Sequence, residues 1–313
     1  MTVAEIVTTF NRPKMIAAAL DSVFAQTDRD FTLILLDDGS NDEARAAQES
    51  ALRRGGVVGN PNFSQHGPHG ETLTWIAAGD VPKVIWWQGR RRSMEERREK
   101  IPYSCTINYA LNYLLTDEQY LMYLCDDDVA TPNSIKDRAD FLDASPDVHV
   151  CYGRLRSIQP EADGSFNKWA SAGAPEPATA DFPIPTGHVE YLHNGQASRV
   201  YYENGGTDPD TGLPFVESAL WRPGFYQYGE AGRVDHMQPA VRRECLMTCR
   251  RWPDGAQLGG VQYWGEDVRW SVGDAAHLTL LAEAHQFYGI DAWVASKVYS
   301  NRSWGNPDTE KRE

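Results

Sequence analysis

The run from Tyr120 to Asp128 constrains this chain most: Tyr120-Leu121-Met122-Tyr123-Leu124-Cys125 has the makeup of a short buried strand and leads straight into three consecutive aspartates. Like charges gathered at one strand end raise each other's pKa unless a cation lies among them. Hard divalent ions such as Mg2+ or Mn2+ take carboxylate oxygens. A metal site is therefore one reading of Asp126, Asp127 and Asp128. The other is that one aspartate is solvated and another caps a helix opening near Thr131-Pro132.

Phe31 to Leu36 is again an apolar run, and it ends in Asp37-Asp38-Gly39-Ser40-Asn41-Asp42. In an open parallel sheet ligands bind beyond the carboxyl ends of the strands, so the two acidic clusters can share one nucleotide crevice. For Asp37 to Asp42 a plain turn and helix cap is the alternative. The surrounding pattern predicts strands over 3–9, 31–36, 83–88, 120–125 and 148–152, with helices over 13–26, 42–53, 102–116 and 132–144. A Gly/Pro/His stretch, 55–70, reads as loop. Later, 242–251 and 268–287 read as partly helical and 292–299 as a final strand. Such alternation implies an α/β fold with a Rossmann-like, mostly parallel central sheet flanked by helices.

From about Gln159 to Gly232, Pro, Gly, Asp and Asn interleave with aromatics and no helical period. We read this insert as loops and short hairpins over the cleft, because its aromatic density argues against a disordered linker.

Composition excludes some functions. A formal net charge of −14 argues against a nonspecific grip on nucleic acid, which is driven by Lys and Arg. Five cysteines, an odd number without a CxxC pair, point to reduced thiols. No stretch approaches 18 apolar residues, and the N-terminus lacks a basic and then apolar leader pattern, so no transmembrane segment and a soluble cytoplasmic protein are expected.

Four pieces stand in an order that resembles the inverting family 2 glycosyltransferases of GT-A fold. They are Val7-Thr8-Thr9-Phe10-Asn11-Arg12, Leu36-Asp37-Asp38-Gly39-Ser40, the Asp126 to Asp128 run with Pro132 after it, and Gly265-Glu266-Asp267-Val268-Arg269-Trp270. Glu96-Arg97-Arg98-Glu99-Lys100, Tyr103, Ile107-Asn108 and Val234-Asp235-His236 bring the likeness nearest to the bacterial spore coat polysaccharide glycosyltransferases. It extends over roughly 3–152 and, in outline, 234–272.

The resemblance implies that Thr8, Phe10 and Arg12 line a nucleotide pocket, with the Phe10 ring stacked on the base. Asp38 would accept the imide N–H of uracil or thymine, and cytosine would be rejected because its N3 is itself an acceptor. A UDP-sugar or dTDP-sugar donor follows, with a carbohydrate or other hydroxyl-bearing acceptor. Arg97 would lie near the nucleoside or the phosphates, unless it is one charge in a surface helix of alternating signs. Asp126 would hold the ribose, and Asp127 with Asp128, or Asp126 with Asp128, would meet the Mn2+ or Mg2+ on the diphosphate. Asp267 would be the catalytic base. Glu266, Asp235 and His236 would contact the acceptor, although an acidic first helix turn also accounts for Glu266-Asp267. The family's histidine after the last strand is replaced by Tyr299-Ser300-Asn301-Arg302-Ser303-Trp304, where Asn301 is a weak substitute ligand. The implied division is a nucleotide-sugar half, 1–152, and an acceptor half, 153–313.

Two rivals remain at this stage. A nucleotidyltransferase would want a glycine- and lysine-rich phosphate loop near the first strand, and Phe10 to Lys14 has no glycine. A non-catalytic glycan-binding module could use the aromatic insert, but it would not need both Asp127 and Asp267.

Overall fold

The computed structural model describes residues 2–57, 64–66, 70–76, 82–99, 102–158, 187–193, 196–207, 214–218, 224–226, 234–248, 255–258, 260–266 and 273–298. The chain opens with β1 (Val3–Thr9), α1 (Pro13–Phe24), β2 (Phe31–Asp37) and α2 (Asp42–Arg54). β3 (Ser64–His66), β4 (Thr72–Ile76), β5 (Lys83–Gln88), α3 (Met94–Glu99) and α4 (Pro102–Tyr113) follow. Next come β6 (Tyr120–Cys125), β7 (Asp128–Ala130), α5 (Ser134–Ala144) and β8 (Val150–Ile158). The remainder comprises β9 (Gly187–His193), β10 (Gln196–Thr207), β11 (Pro214–Ser218), β12 (Gly224–Tyr226), β13 (Pro239–Arg242), α6 (Cys245–Thr248), α7 (Gly273–Ala284) and β14 (Phe287–Val298).

Strands β5, β2, β1 and β6 run parallel, as the alternation of apolar runs with helices predicts, and lie side by side in that order. Every residue of β2 is buried, the signature of a strand covered on both faces. Its pleat divides the core. Leu33 and Leu35 pack with Val3, Val7 and the α1 stripe Ile16, Ala19, Leu20 and Val23 on one side. Ile34 and Leu36 pack with Ala4, Ile6, Trp87 and the α4 residues Cys105, Ile107 and Ala110 on the other. Pro13 begins α1, where its missing N–H costs nothing, and Asn41 caps α2 by accepting from Ala44 N at 2.9 Å.

Beyond β6 the sheet changes direction. β13 lies between β6 and β8 and is antiparallel to both, whereas β14 is parallel to β8. Sequence patterning gives no strand at 239–242, and the reason is visible in α5. Arg138, fully buried, donates to the carbonyls of Met237 at 3.2 Å and Pro239 at 3.1 Å, so this short strand is anchored by a side chain from another element. Arg138 also lies 4.0 Å from Glu5, buried in β1. Burial pushes the Glu5 carboxyl up to about 7, against the pull of Arg138.

Other expectations need correcting. β14 begins at Phe287, where helix was expected, and its register shifts on either side of Trp293; such irregularity removes the alternation that would have announced it. β3 and β4 form a hairpin against β5 in and after the stretch read as loop. Within the insert, β9, β10 and β11 make an antiparallel meander, consistent with the expected hairpins, but it joins the sheet through β8 and so extends the sheet. The sheet is thus continuous across residue 152, which lies inside β8.

Candidate active site

The parallel register sets the site. Thr8 lies beside Leu36 and Cys125, and Thr9 beside Asp37, so β1, β2 and β6 end together and release Phe10 to Arg12, Asp38 to Ser40 and Asp126 to Asp128 at one edge. Gly39 makes the turn after β2 at a φ of 80°, and a Cβ there would sit 2.3 Å from the carbonyl oxygen of Arg90. No other residue fits that approach.

The two adjoining aspartates at the end of β2, Asp37 and Asp38, have different work. Asp37 is the turn carboxylate: it accepts from Ser40 N and from Arg45 Nε, each at 2.9 Å. Asp38 accepts from Arg97 Nη1 at 2.7 Å through Oδ2, while the second nitrogen of Arg97 reaches the Asp38 carbonyl. Asp38 Oδ1 is buried without a hydrogen-bond partner, the nearest cation being Arg92 Nη1 at 3.6 Å. Burial raises the Asp38 pKa against the pull of Arg97 and Arg92. Arg97 also covers Phe10, its guanidinium carbon 3.4 Å from the ring centroid. Arg97 is therefore a buried bridge between Phe10 and Asp38 and not a surface charge.

At the end of β1, Asn11 adopts a φ of 50°, held by a bond from its N–H to Ser40 Oγ (3.0 Å) and one from Asn41 N to its Oδ1 (2.8 Å). This turn aims Arg12 at β6, where its Nη1 lies 2.8 Å from both Asp126 Oδ1 and Asp127 Oδ2. Asp126 Oδ2 accepts from Thr9 Oγ1 at 2.8 Å and from Phe10 N at 3.2 Å. Both oxygens of Asp126 thus tie β1 to β6. Burial, with Asp127 adding to it and Arg12 opposing, pushes Asp126 up to about 6. Burial also opposes the charge on Arg12, yet Asp126 and Asp127 raise its pKa above the usual value.

A separate donor cluster forms from Cys125, Asp127 and Asp128, whose Sγ and carboxylate oxygens lie within 4.8 Å of one another. Two carboxylates and a thiol at that spacing fit a divalent cation. His236 Nε2 approaches Cys125 Sγ at 3.0 Å, and Nδ1 stands 3.3 Å from Asp235 Oδ1, so Asp235 and His236 reach the strand-end cluster. Burial pushes the Cys125 thiol up to about 11, against His236.

The Gly265-Glu266 segment is drawn to the same edge through Trp264. Its ring lies 5.0 Å from Tyr123 of β6 and 6.0 Å from His236, measured between centroids. Glu266 is buried, accepting from Asn108 Nδ2 at 2.9 Å and from Gln257 N at 2.7 Å. Asn108 Oδ1 in turn accepts from Tyr263 N and Trp264 N. The sequence reading missed Arg92 and Cys125. Three consecutive arginines at 90–92 and a thiol adjoining the aspartates were the available signals. Asp267 and the 299–304 segment lie outside the described residues.

The turns after β1 and β2 fall in the part of the chain with a family match. Residues 6–62 match the family model for glycosyl transferase family 2. Residues 1–349 of S. aureus TarS, solved in complex with UDP-GlcNAc, share the fold with a TM-score of 0.52 at 12% identity, over 96% of this chain and 59% of that one. The mannosyltransferase PcManGT from Pyrobaculum calidifontis, solved with GDP-Man and Mn2+, aligns at 14% identity over 96% of this chain and 58% of that one, with a TM-score of 0.46. The chain therefore spans less than two thirds of the length of either structure. The mixed α/β architecture, with a parallel core flanked by helices, is that of the GT-A glycosyltransferases. Among the described residues no helix is long and apolar enough to cross a membrane.

Proposed function

We propose that this protein is a metal-dependent, inverting glycosyltransferase of family 2 that moves a sugar from a UDP- or dTDP-sugar to an acceptor hydroxyl. The observation that carries the reading is Asp38 Oδ1, a buried acceptor without a hydrogen-bond partner at the edge where β1, β2 and β6 release their carboxylates. A buried acceptor left unmet costs stability, and the imide N–H of uracil or thymine satisfies it, whereas cytosine presents a second acceptor. TarS, whose structure contains UDP-GlcNAc, supports a uridine nucleotide.

Thr8, Phe10, Arg12, Arg97 and Asp126 surround the nucleoside, with Arg97 and Phe10 offering one composite flat surface. Asp127, Asp128 and Cys125 would hold the cation, Mn2+ or Mg2+ on the family resemblance. When bound, such an ion offsets the charge that develops on the leaving diphosphate. Arg12, shared between Asp126 and Asp127, holds the two carboxylates in line. Asp267 accepts the proton of the acceptor hydroxyl as that oxygen attacks the anomeric carbon from the face opposite the leaving nucleotide. Glu266, the residue before this base in sequence, is committed to Asn108 and Gln257, and Asp235 with His236 borders the acceptor side.

The likeness to spore coat polysaccharide glycosyltransferases favours a carbohydrate acceptor and an acceptor half at 153–313. Thermal-shift screening of nucleoside diphosphates with and without Mn2+ tests the reading. UDP and dTDP are expected to raise Tm more than CDP, and further when Mn2+ is added. Equal shifts for all bases, unmoved by Mn2+, would overturn it.

A further inference from the structure

We propose that Arg92 is a base-specificity residue: it donates to the C4 carbonyl oxygen of the nucleotide's pyrimidine while Asp38 accepts the neighbouring N3–H. The inference rests on the nucleotide reading above and deepens it. A carboxylate alone recognises one N–H, whereas the pair recognises an N–H beside a C=O. Uracil and thymine present that edge. Cytosine and adenine reverse both positions, and guanine, with N1–H beside C6=O, shares it.

The turn after β2 places Arg92 for this. Gly39 lies so near the Arg90 backbone that a Cβ would sit 2.3 Å from the Arg90 carbonyl oxygen, which brings the 90–92 segment against Asp38. Arg90 and Arg91 turn outward, their side chains 47% and 54% exposed and engaged with Glu96 and Asp42. The Arg92 side chain turns inward. It is 6% exposed, and among the described residues its one ion pair is from Nη1 to Asp38 Oδ1 at 3.6 Å. That gap is longer than a hydrogen bond, so a buried cationic donor stands beside a buried acceptor that has no hydrogen-bond partner. Arg92 also lines a cavity of about 100 Å³ with Trp87, Gln257 and Leu258, so its side chain borders open space and not only packed core.

Arg97 is already engaged elsewhere. Its Nη1 holds Asp38 Oδ2, its Nη2 holds the Asp38 carbonyl, and its guanidinium lies on Phe10. The order of the strands decides which carbonyl Arg92 meets. β5, β2, β1 and β6 lie side by side, so Arg92, after β5, and Asp126, after β6, flank Asp38 from opposite sides. With the ribose at Asp126, the C2 side of the base lies toward Asp126 and the C4 side toward Arg92.

The test is calorimetry of UDP, CDP, 4-thio-UDP and 2-thio-UDP on the full chain in Mn2+, with the wild type and Arg92→Ala. Sulfur accepts a hydrogen bond more weakly than oxygen. The wild type should bind 4-thio-UDP on the order of tenfold more weakly than UDP, and 2-thio-UDP about as tightly as UDP. Arg92→Ala should bind UDP on the order of tenfold more weakly and treat UDP and 4-thio-UDP alike. The wild-type comparison needs no variant and holds whether or not Arg92→Ala folds. If the wild type prefers UDP to CDP but shows no 4-thio penalty, or a 2-thio penalty as large, the role of Arg92 is overturned and the reading at Asp38 stands. A folded Arg92→Ala that still discriminates against 4-thio-UDP overturns it equally. Absence of any preference for UDP over CDP in the wild type overturns both.

Discussion

Arg97 lies flat on Phe10, its guanidinium carbon 3.4 Å from the ring centroid, while Nη1 of the same side chain holds Asp38 Oδ2 at 2.7 Å. One buried cation therefore links the aromatic platform at the end of β1 to the carboxylate at the end of β2. Removing it strands Asp38, which then has only Arg92 at 3.6 Å. Arg97→Ala should lower the unfolding free energy by about 2–4 kcal/mol, and the double variant Arg97→Ala/Asp38→Asn should recover part of that loss, as read by urea denaturation. Strict additivity of the two changes would show that the pair is not coupled.

Base choice follows from the same carboxylate. UDP should bind the wild type more tightly than CDP by about 1–3 kcal/mol, because CDP leaves Asp38 Oδ1 facing another acceptor. Asp38→Asn offers an N–H₂ in place of an oxygen and should erase or invert the preference. Calorimetry with both nucleotides, in both proteins, checks this.

Glu5 supplies a pH dependence of known sign. Its folded pKa of about 7 exceeds the unfolded value near 4.5, so the folded state holds the proton more firmly and gains stability below the unfolded pKa. That contribution is lost as pH rises through about 7. Relative to the wild type, Glu5→Gln should gain roughly 3 kcal/mol between pH 4.5 and pH 8. Denaturant melts of both proteins across that range measure the difference, and parallel curves would rule out the assignment.

Glu266 and Asp267 should separate stability from chemistry. Glu266 accepts two hydrogen bonds in a buried setting, so Glu266→Gln turns one N–H₂ toward a donor and should cost about 1–3 kcal/mol of stability. Asp267→Asn should leave Tm near the wild-type value, retain donor binding and reduce turnover by roughly 10²–10⁴. The reverse pattern would make Glu266 the base.

What the sequence disclosed, and what it hid, has a physical explanation. β1, β2 and β6 were legible because each is a short run dominated by apolar and β-branched residues that leads into a turn or an acidic cluster, and their parallel direction follows from the intervening helices. β13 was not, since four residues beginning with proline carry no period and depend on Arg138 for their place. The acidic clusters were visible as clusters, but their division of labour was hidden. Asp37 and Asp38 adjoin in sequence, and the turn at Gly39 makes one the turn carboxylate and the other a buried partner of Arg97. Arg92 read as part of a charged surface run, although its side chain is buried beside Asp38.

Donor turnover without acceptor, followed as release of nucleoside diphosphate from a panel of UDP- and dTDP-sugars, tests the central claim most directly. Slow release from at least one of these donors in Mn2+ is expected, abolished by EDTA and reduced in Asp127→Ala by on the order of a few kcal/mol of transition-state stabilisation. Release that persists undiminished in EDTA and in Asp127→Ala would contradict a glycosyl transfer run from the carboxylates at the end of β6.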